Sequence, residues 1–118
     1  MPKLKVYVAG PIRIGNVAHN LARAIDAADE LLEAGFTPYV AHANYIWEIA
    51  HPKSDATWMR HDLEWLLACD AVLRLPGESV GADEEVAFAA ARGIPVFYGL
   101  AALKLWADSR PVLRFYFI

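Results

Sequence analysis

Cysteine is nearly missing: Cys69 stands alone, so no internal disulfide can form and the chain suits a reducing compartment. No apolar run reaches the ~20 residues that a membrane-spanning helix needs. Met1 to Val8 lacks the apolar core of a signal peptide, and a cytoplasmic protein is expected. Basic residues form no stripe and the net charge is −3, which argues against a nucleic-acid duplex as partner. The four histidines, His19, His42, His51 and His61, show no metal-ligand spacing with Cys69 or with carboxylates. Neither a metal nor another cofactor is expected. No repeat, linker or low-complexity stretch divides the sequence.

Apolar residues, by contrast, are plentiful: 57% of 118 residues, four of them Trp. That length fits a single domain, 1–118. The apolar share exceeds what so small a domain usually hides, which predicts a homodimer or higher homo-oligomer. The stretch around Tyr45 and Trp47 and the run Val112 to Ile118 are candidate interfaces; ordinary core is the other reading of both.

Leu4 to Ala9 alternates like a strand and ends at Gly10-Pro11. Val17 to Ala34 has helical spacing, with Asn16 as N-cap and Gly35 as C-cap. Phe36 to Ala41 reads as a second strand, and His42 to Ser54 as a loop with one helical turn. Asp55 to Ala68 is helical, Asp70 to Leu75 a third strand, Gly81 to Arg92 a helix stopped by Gly93, and Ile94 to Tyr98 a fourth strand. A short helix over Leu100 to Ala107 and a fifth strand over Val112 to Phe117 complete the pattern. Strands alternating with helices predict a doubly wound, Rossmann-like α/β domain with a mostly parallel sheet of about five strands. In such folds ligands bind beyond the carboxyl ends of the strands, where the strand order reverses.

Several side chains in or near those loops invite chemistry, and each has a plainer reading beside it. Gly10 to Asn16 offers glycines, free amides and Arg13 at a helix N-terminus, which suits an anion, or is simply a strand–helix turn with a solvated arginine. Ser79 and the acids Asp83, Glu84 and Glu85 open the next helix. There Ser79 caps or holds an anion, and the acids complement the helix dipole. Asp62 shares a helix face with Trp58 and Trp65. It is either a partly buried acid with a raised pKa or a border residue tipped into water. His42, ending strand two, reaches a ligand or rests in the loop. Arg74, inside a strand that should be buried, snorkels out, meets an anion or pairs with an acid.

The stretches Val6-Tyr7-Val8-Ala9-Gly10-Pro11-Ile12-Arg13, Asp62-Leu63-Glu64-Trp65-Leu66, Cys69-Asp70-Ala71-Val72 and Ser79-Val80-Gly81-Ala82-Asp83-Glu84-Glu85, with Gly93-Ile94-Pro95-Val96 behind them, resemble the nucleoside 2-deoxyribosyltransferase-like superfamily. Within it they look most like the small nucleoside-monophosphate N-glycosidases and the DUF4406-type proteins. The resemblance implies an enzyme acting on N-glycosyl bonds. The family's nucleophilic glutamate falls on Glu85, with Glu84 as the neighbouring register. Its acid/base aspartate falls on Asp62, and the tyrosine that orients the nucleophile on Tyr7. Where the transferases carry an aspartate for a free 5′-hydroxyl, this sequence has Ser79, as the monophosphate hydrolases do. They also carry an arginine like Arg13. With the loop readings added, the expected substrate- or phosphate-binding set is Gly10, Ile12, Arg13, Ser79, Gly81 and His42.

The expected activity is therefore hydrolysis of a nucleoside 5′-monophosphate through a covalent glycosyl–Glu85 intermediate. A deoxyribosyltransferase and a non-catalytic nucleotide-binding module are the alternatives. Glu85 near a helix N-terminus is expected to favour the anion, and Asp62 beside Trp the neutral acid. Two departures stand out: Pro11 replaces a small hydroxyl residue of the hydrolases, and Asp83 and Glu84 add negative charge near the proposed phosphate.

Overall fold

The computed structural model of the protein describes residues 3–110. Apolar alternation in β1 (Lys5–Ala9) sends Val6 and Val8 to one face of the sheet and Tyr7 and Ala9 to the other, and both faces are covered. On the first face Val6 and Val8 cluster with Ala24 and Leu31 of α1 (Val17–Glu33) and Leu103 of α5 (Leu100–Ser109). On the second, Tyr7 and Ala9 cluster with Leu66 of α3 (Asp55–Leu67) and with Ala82 and Ala89 of α4 (Val80–Ala91). Burial on both faces is why Ala71–Arg74 (β3) is buried throughout, as strands of parallel sheets are.

The remaining strands are β2 (Thr37–Val40) and β4 (Val96–Phe97). The order is β2-β1-β3-β4 and every pairing is parallel. Among the described residues the sheet thus has four strands rather than about five. The expected fifth strand, Val112 to Phe117, lies outside the described residues. Chain order reverses on either side of β1, so a crevice opens beyond the carboxyl ends of β1 and β3.

Helix boundaries follow local chemistry. The Asn16 side chain caps α1 by accepting from the His19 amide, and Ser54 caps α3 through the Thr57 amide. At the far end of α1, Gly35 adopts φ +96° while its amide bonds Leu32 O and that of Phe36 bonds Leu31 O. That is a Schellman ending, one residue beyond the Ala34 C-cap. The segment after β2 is more ordered than expected: a 3₁₀ turn over Ala41–Asn44 leads into α2 (Tyr45–Ala50). This short helix leaves Ile46 and Ile49 exposed and Trp47 half-exposed. No helix among the described residues is long and apolar enough to cross a membrane.

Candidate active site

The loops after β1, β2 and β3 meet α3 and the start of α4 around a cleft of about 750 Å³, a volume that suits a small organic ligand. Gly10, Ile12, Arg13, His42, Asp62, Ser79, Gly81 and Glu85 all line it. Tyr7 lies beneath and reaches it through Glu85.

Glu85 falls on the apolar side of α4, three residues after Ala82 and four before Ala89, and all three are buried. It is 7% exposed. A buried carboxylate needs a partner, and the fully buried Tyr7 hydroxyl donates to Oε2. Burial pushes the Glu85 carboxyl up to about 7; the Tyr7 hydrogen bond opposes this, and the charge of Asp62 adds to it. Burial likewise raises the Tyr7 phenol, helped by the Glu85 charge, so Tyr7 stays a donor. Glu84, one residue away, is exposed.

Asp62 is half-buried on α3. Its carboxyl is pushed up to about 6, by burial, against the opposing effects of His61, Tyr39 and Asn44. Tyr39 Oη lies 3.4 Å and Asn44 Nδ2 3.5 Å from Asp62 Oδ1. The two tryptophans expected on the Asp62 face take different places. Trp65 stacks on the Tyr39 ring, whereas Trp58 packs edge-on against Trp47 and His61 and donates to Glu48. The expected contrast between an anionic Glu85 and a neutral Asp62 is also corrected. Glu85 lies in the second turn of α4, beyond most of the dipole's reach, and burial raises both acids.

The first loop is held by Asn20, whose side-chain amide donates to Ile12 O and Ile14 O at 3.0 and 2.7 Å. Arg13 is not a free cation: it pairs with Asp55 at 2.7 Å, both side chains more than half exposed. His42 is 3% exposed and its Nε2 lies 3.2 Å from Pro11 O. A carbonyl only accepts, so Nε2 carries the hydrogen and Nδ1 is an unprotonated acceptor. No hydrogen-bond partner for Nδ1 occurs among the described residues, and burial lowers the imidazole pKa. Nδ1 is itself buried, so the ring is fixed from the protein side by its bond to the first loop.

Arg74 resolves to pairing with an acid. Buried at the end of β3, it donates to Leu75 O, to Gly77 O at 3.0 Å and to Asp83 Oδ1 at 3.0 Å. It thereby neutralises one of the extra charges near α4 and fixes the third loop. Within that loop Gly77 has φ +115°, and a Cβ there would meet Pro11 Cγ at 2.8 Å, so Pro11 and Gly77 interlock the first and third loops. Ser79 caps α4 through the Ala82 amide at 3.1 Å. Its own hydroxyl hydrogen is not used by that bond.

Tyr39, Asn44 and Asn20 escaped the sequence reading. Asn20 left a trace, since it occupies the buried stripe of α1 with Ala24, Ala28 and Leu31. Nothing local marks Tyr39 or Asn44. Among the described residues no group of three or more His, Cys, Asp or Glu is placed to hold a metal.

A parallel α/β sheet with a carboxylate-lined cleft at its switch point defines a class of small-ligand proteins. Residues 4–98 match a family model described as a domain of unknown function (DUF4406), and the chain belongs to that family. No curated protein sequence matches it. One similar solved structure is a 2-deoxyribosyltransferase from Bacillus psychrosaccharolyticus, with TM-score 0.60 and 20% identity over 78% of this chain and 69% of that one. A conserved protein from Enterococcus faecalis V583 superposes with TM-score 0.63 and 24% identity, over 80% of this chain and 62% of that one. At these identities the likeness shows the fold.

Proposed function

We propose that the protein breaks the N-glycosidic bond of a nucleoside 5′-monophosphate, with Glu85 as nucleophile and Asp62 as acid and base. The observation that carries this is the pairing of the Tyr7 hydroxyl with a buried Glu85 on the wall of the cleft that Asp62 also lines. Breaking a C1′–N bond builds positive charge on the sugar. The Glu85 carboxylate forms a bond to C1′ as the C1′–N pair leaves with the base, and that base takes the Asp62 proton. Water then attacks C1′, its proton passes to the Asp62 carboxylate, and Glu85 is released. The Tyr7 hydroxyl holds the attacking carboxylate in one orientation throughout.

Support for a 5′-phosphate comes from Arg13, from the spare hydroxyl hydrogen of Ser79 and from the N-terminal amides of α4. The Arg13–Asp55 pair is exposed, and such pairs contribute only about 0–1 kcal/mol, so a phosphate dianion can take the place of Asp55. One observation favours a second reading, an uncharged nucleoside: Glu48, Asp55, Glu78 and Glu84 line the cleft against Arg13 and Arg60.

A panel of ribo- and deoxyribonucleosides and their monophosphates, screened for released base with and without a foreign base, tests the reading. Free sugar phosphate supports hydrolysis, and a new nucleotide supports transfer. Binding without any base release favours a non-catalytic module. The exposed apolar side chains of α2 support a homo-oligomer, which light scattering measures.

A further inference from the structure

Asp62 can serve as a proton donor only if its carboxyl is held with a defined oxygen toward the ligand. We propose that Tyr39 and Asn44 are positioning residues that lock Asp62 Oδ1 and leave Oδ2 as the oxygen that carries the proton into the cleft. The inference rests on the reading of Asp62 as acid and base, and deepens it.

The hydrogen-bond inventory is directional. Asn44 Nδ2 donates to Tyr39 Oη at 3.2 Å and lies 3.5 Å from Asp62 Oδ1; an amide nitrogen has two hydrogens, so it serves both. With its lone pair accepting from Asn44, the Tyr39 hydroxyl turns its single hydrogen toward Asp62 Oδ1, 3.4 Å away. Both donors thus converge on one carboxyl oxygen. Contacts of this length tighten when a ligand is bound, as catalytic hydrogen bonds commonly do.

What fixes Tyr39 is independent of Asp62. Its ring is stacked between Tyr7, at 5.5 Å and 28°, and Trp65, at 5.4 Å and 15°. β2 pairs with β1 so that Tyr39 stands beside Tyr7. Trp65 lies three residues after Asp62 on α3, on the same helix face. The column runs from the buried Tyr7, which holds Glu85, to the residue that holds Asp62, and so sets both carboxyls by one piece of packing. Asn44 ends the 3₁₀ turn after β2 and lines the cleft itself. Burial raises the Tyr39 phenol, so it remains a donor wherever Asp62 titrates. Of the other ionisable groups, His61 on its own helix acts on Asp62, and the Asp62 charge in turn acts on Glu85 and Tyr7.

The test is a carboxyl-carbon NMR titration of Asp62 in the wild type, Tyr39→Phe and Asn44→Ala. Tyr39→Phe keeps the stacked ring and deletes only the donor; Asn44→Ala gives a second, independent reading. Each variant is expected to move the Asp62 midpoint upward, by about one pH unit for Tyr39→Phe, since a hydrogen bond to a charged group is worth roughly a tenfold change in proton affinity. Unchanged midpoints in both variants overturn the proposal. The titration does not need turnover: a shifted midpoint in a protein that cleaves no nucleotide keeps the positioning and removes the acid role, whereas a cleaving enzyme with an unmoved midpoint does the reverse.

Discussion

The hydroxyl of Tyr7 on β1 donates to Oε2 of Glu85 on α4, across 78 positions of sequence. Tyr7→Phe removes that donor, leaves the ring packed and lets the Glu85 proton bind more tightly. A hydrogen bond to a charged group is worth about 1.5–3 kcal/mol, so kcat/KM for base release is expected to fall about 10- to 100-fold. Ligand binding, measured by calorimetry, should change little.

The pH profile follows from the two acids. Glu85 is raised to about 7 and Asp62 to about 6, so between those values the pair carries a single proton, held mainly by Glu85; the reactive arrangement, with that proton on Asp62 and Glu85 ionised, is the minor one. Below about 6 both are protonated and the nucleophile is lost; above about 7 both are ionised and the acid is lost. A narrow bell-shaped dependence of kcat/KM with its maximum between pH 6 and 7 is expected. A plateau extending to pH 9 contradicts it.

Stability should also move with pH, over a wider window. The Glu85 pKa is higher in the fold than its ordinary 4.5, so the native state binds the extra proton. Its contribution is fully present below about pH 4.5 and is lost as pH rises through about 7. Denaturant titrations should show the wild type losing on the order of 3 kcal/mol from this group between those limits. Glu85→Gln, which keeps a hydrogen-bonding side chain but cannot ionise, should lose much less.

Arg13 and Asp55 separate the two substrate readings. If the ligand carries a 5′-phosphate, Arg13→Ala raises KM for monophosphates and leaves nucleosides unaffected, while Asp55→Ala lowers KM for monophosphates a few-fold. Neither change should alter stability by more than about 1 kcal/mol, because the pair is exposed. Equal kinetics on nucleosides and monophosphates in the wild type would move the assignment to the uncharged substrate.

Much of this architecture was legible in the sequence because its signals are local. Asn16 and Ser79 announce helix starts, Gly35 an ending, and the alternation of Val6, Tyr7, Val8 and Ala9 a strand covered on both faces. Glu85 was singled out through a stretch that resembles a family, and the fold brings it to the cleft wall. The interactions that give the cleft its character are not local. Arg74 reads as an anomaly until Gly77 and Asp83 fold over it, and Arg13 reads as free until Asp55 arrives from 42 positions away. The opposed protonation expected of Glu85 and Asp62 failed for the same reason: helix position is visible in sequence, whereas depth of burial belongs to the assembled fold. Tyr39 looks like any strand tyrosine; only its place between Tyr7 and Trp65 gives its hydroxyl a purpose.

The central claim, a covalent bond between a sugar carbon and Glu85, is tested most directly by mass spectrometry of the acid-quenched protein after brief mixing with substrate. The account predicts a mass increment equal to the nucleotide minus its free base, which is the sugar phosphate less one water, carried by the peptide containing Glu85 and absent in Glu85→Ala. Base released with no adduct, or an adduct on Glu84 or any other side chain, would contradict it.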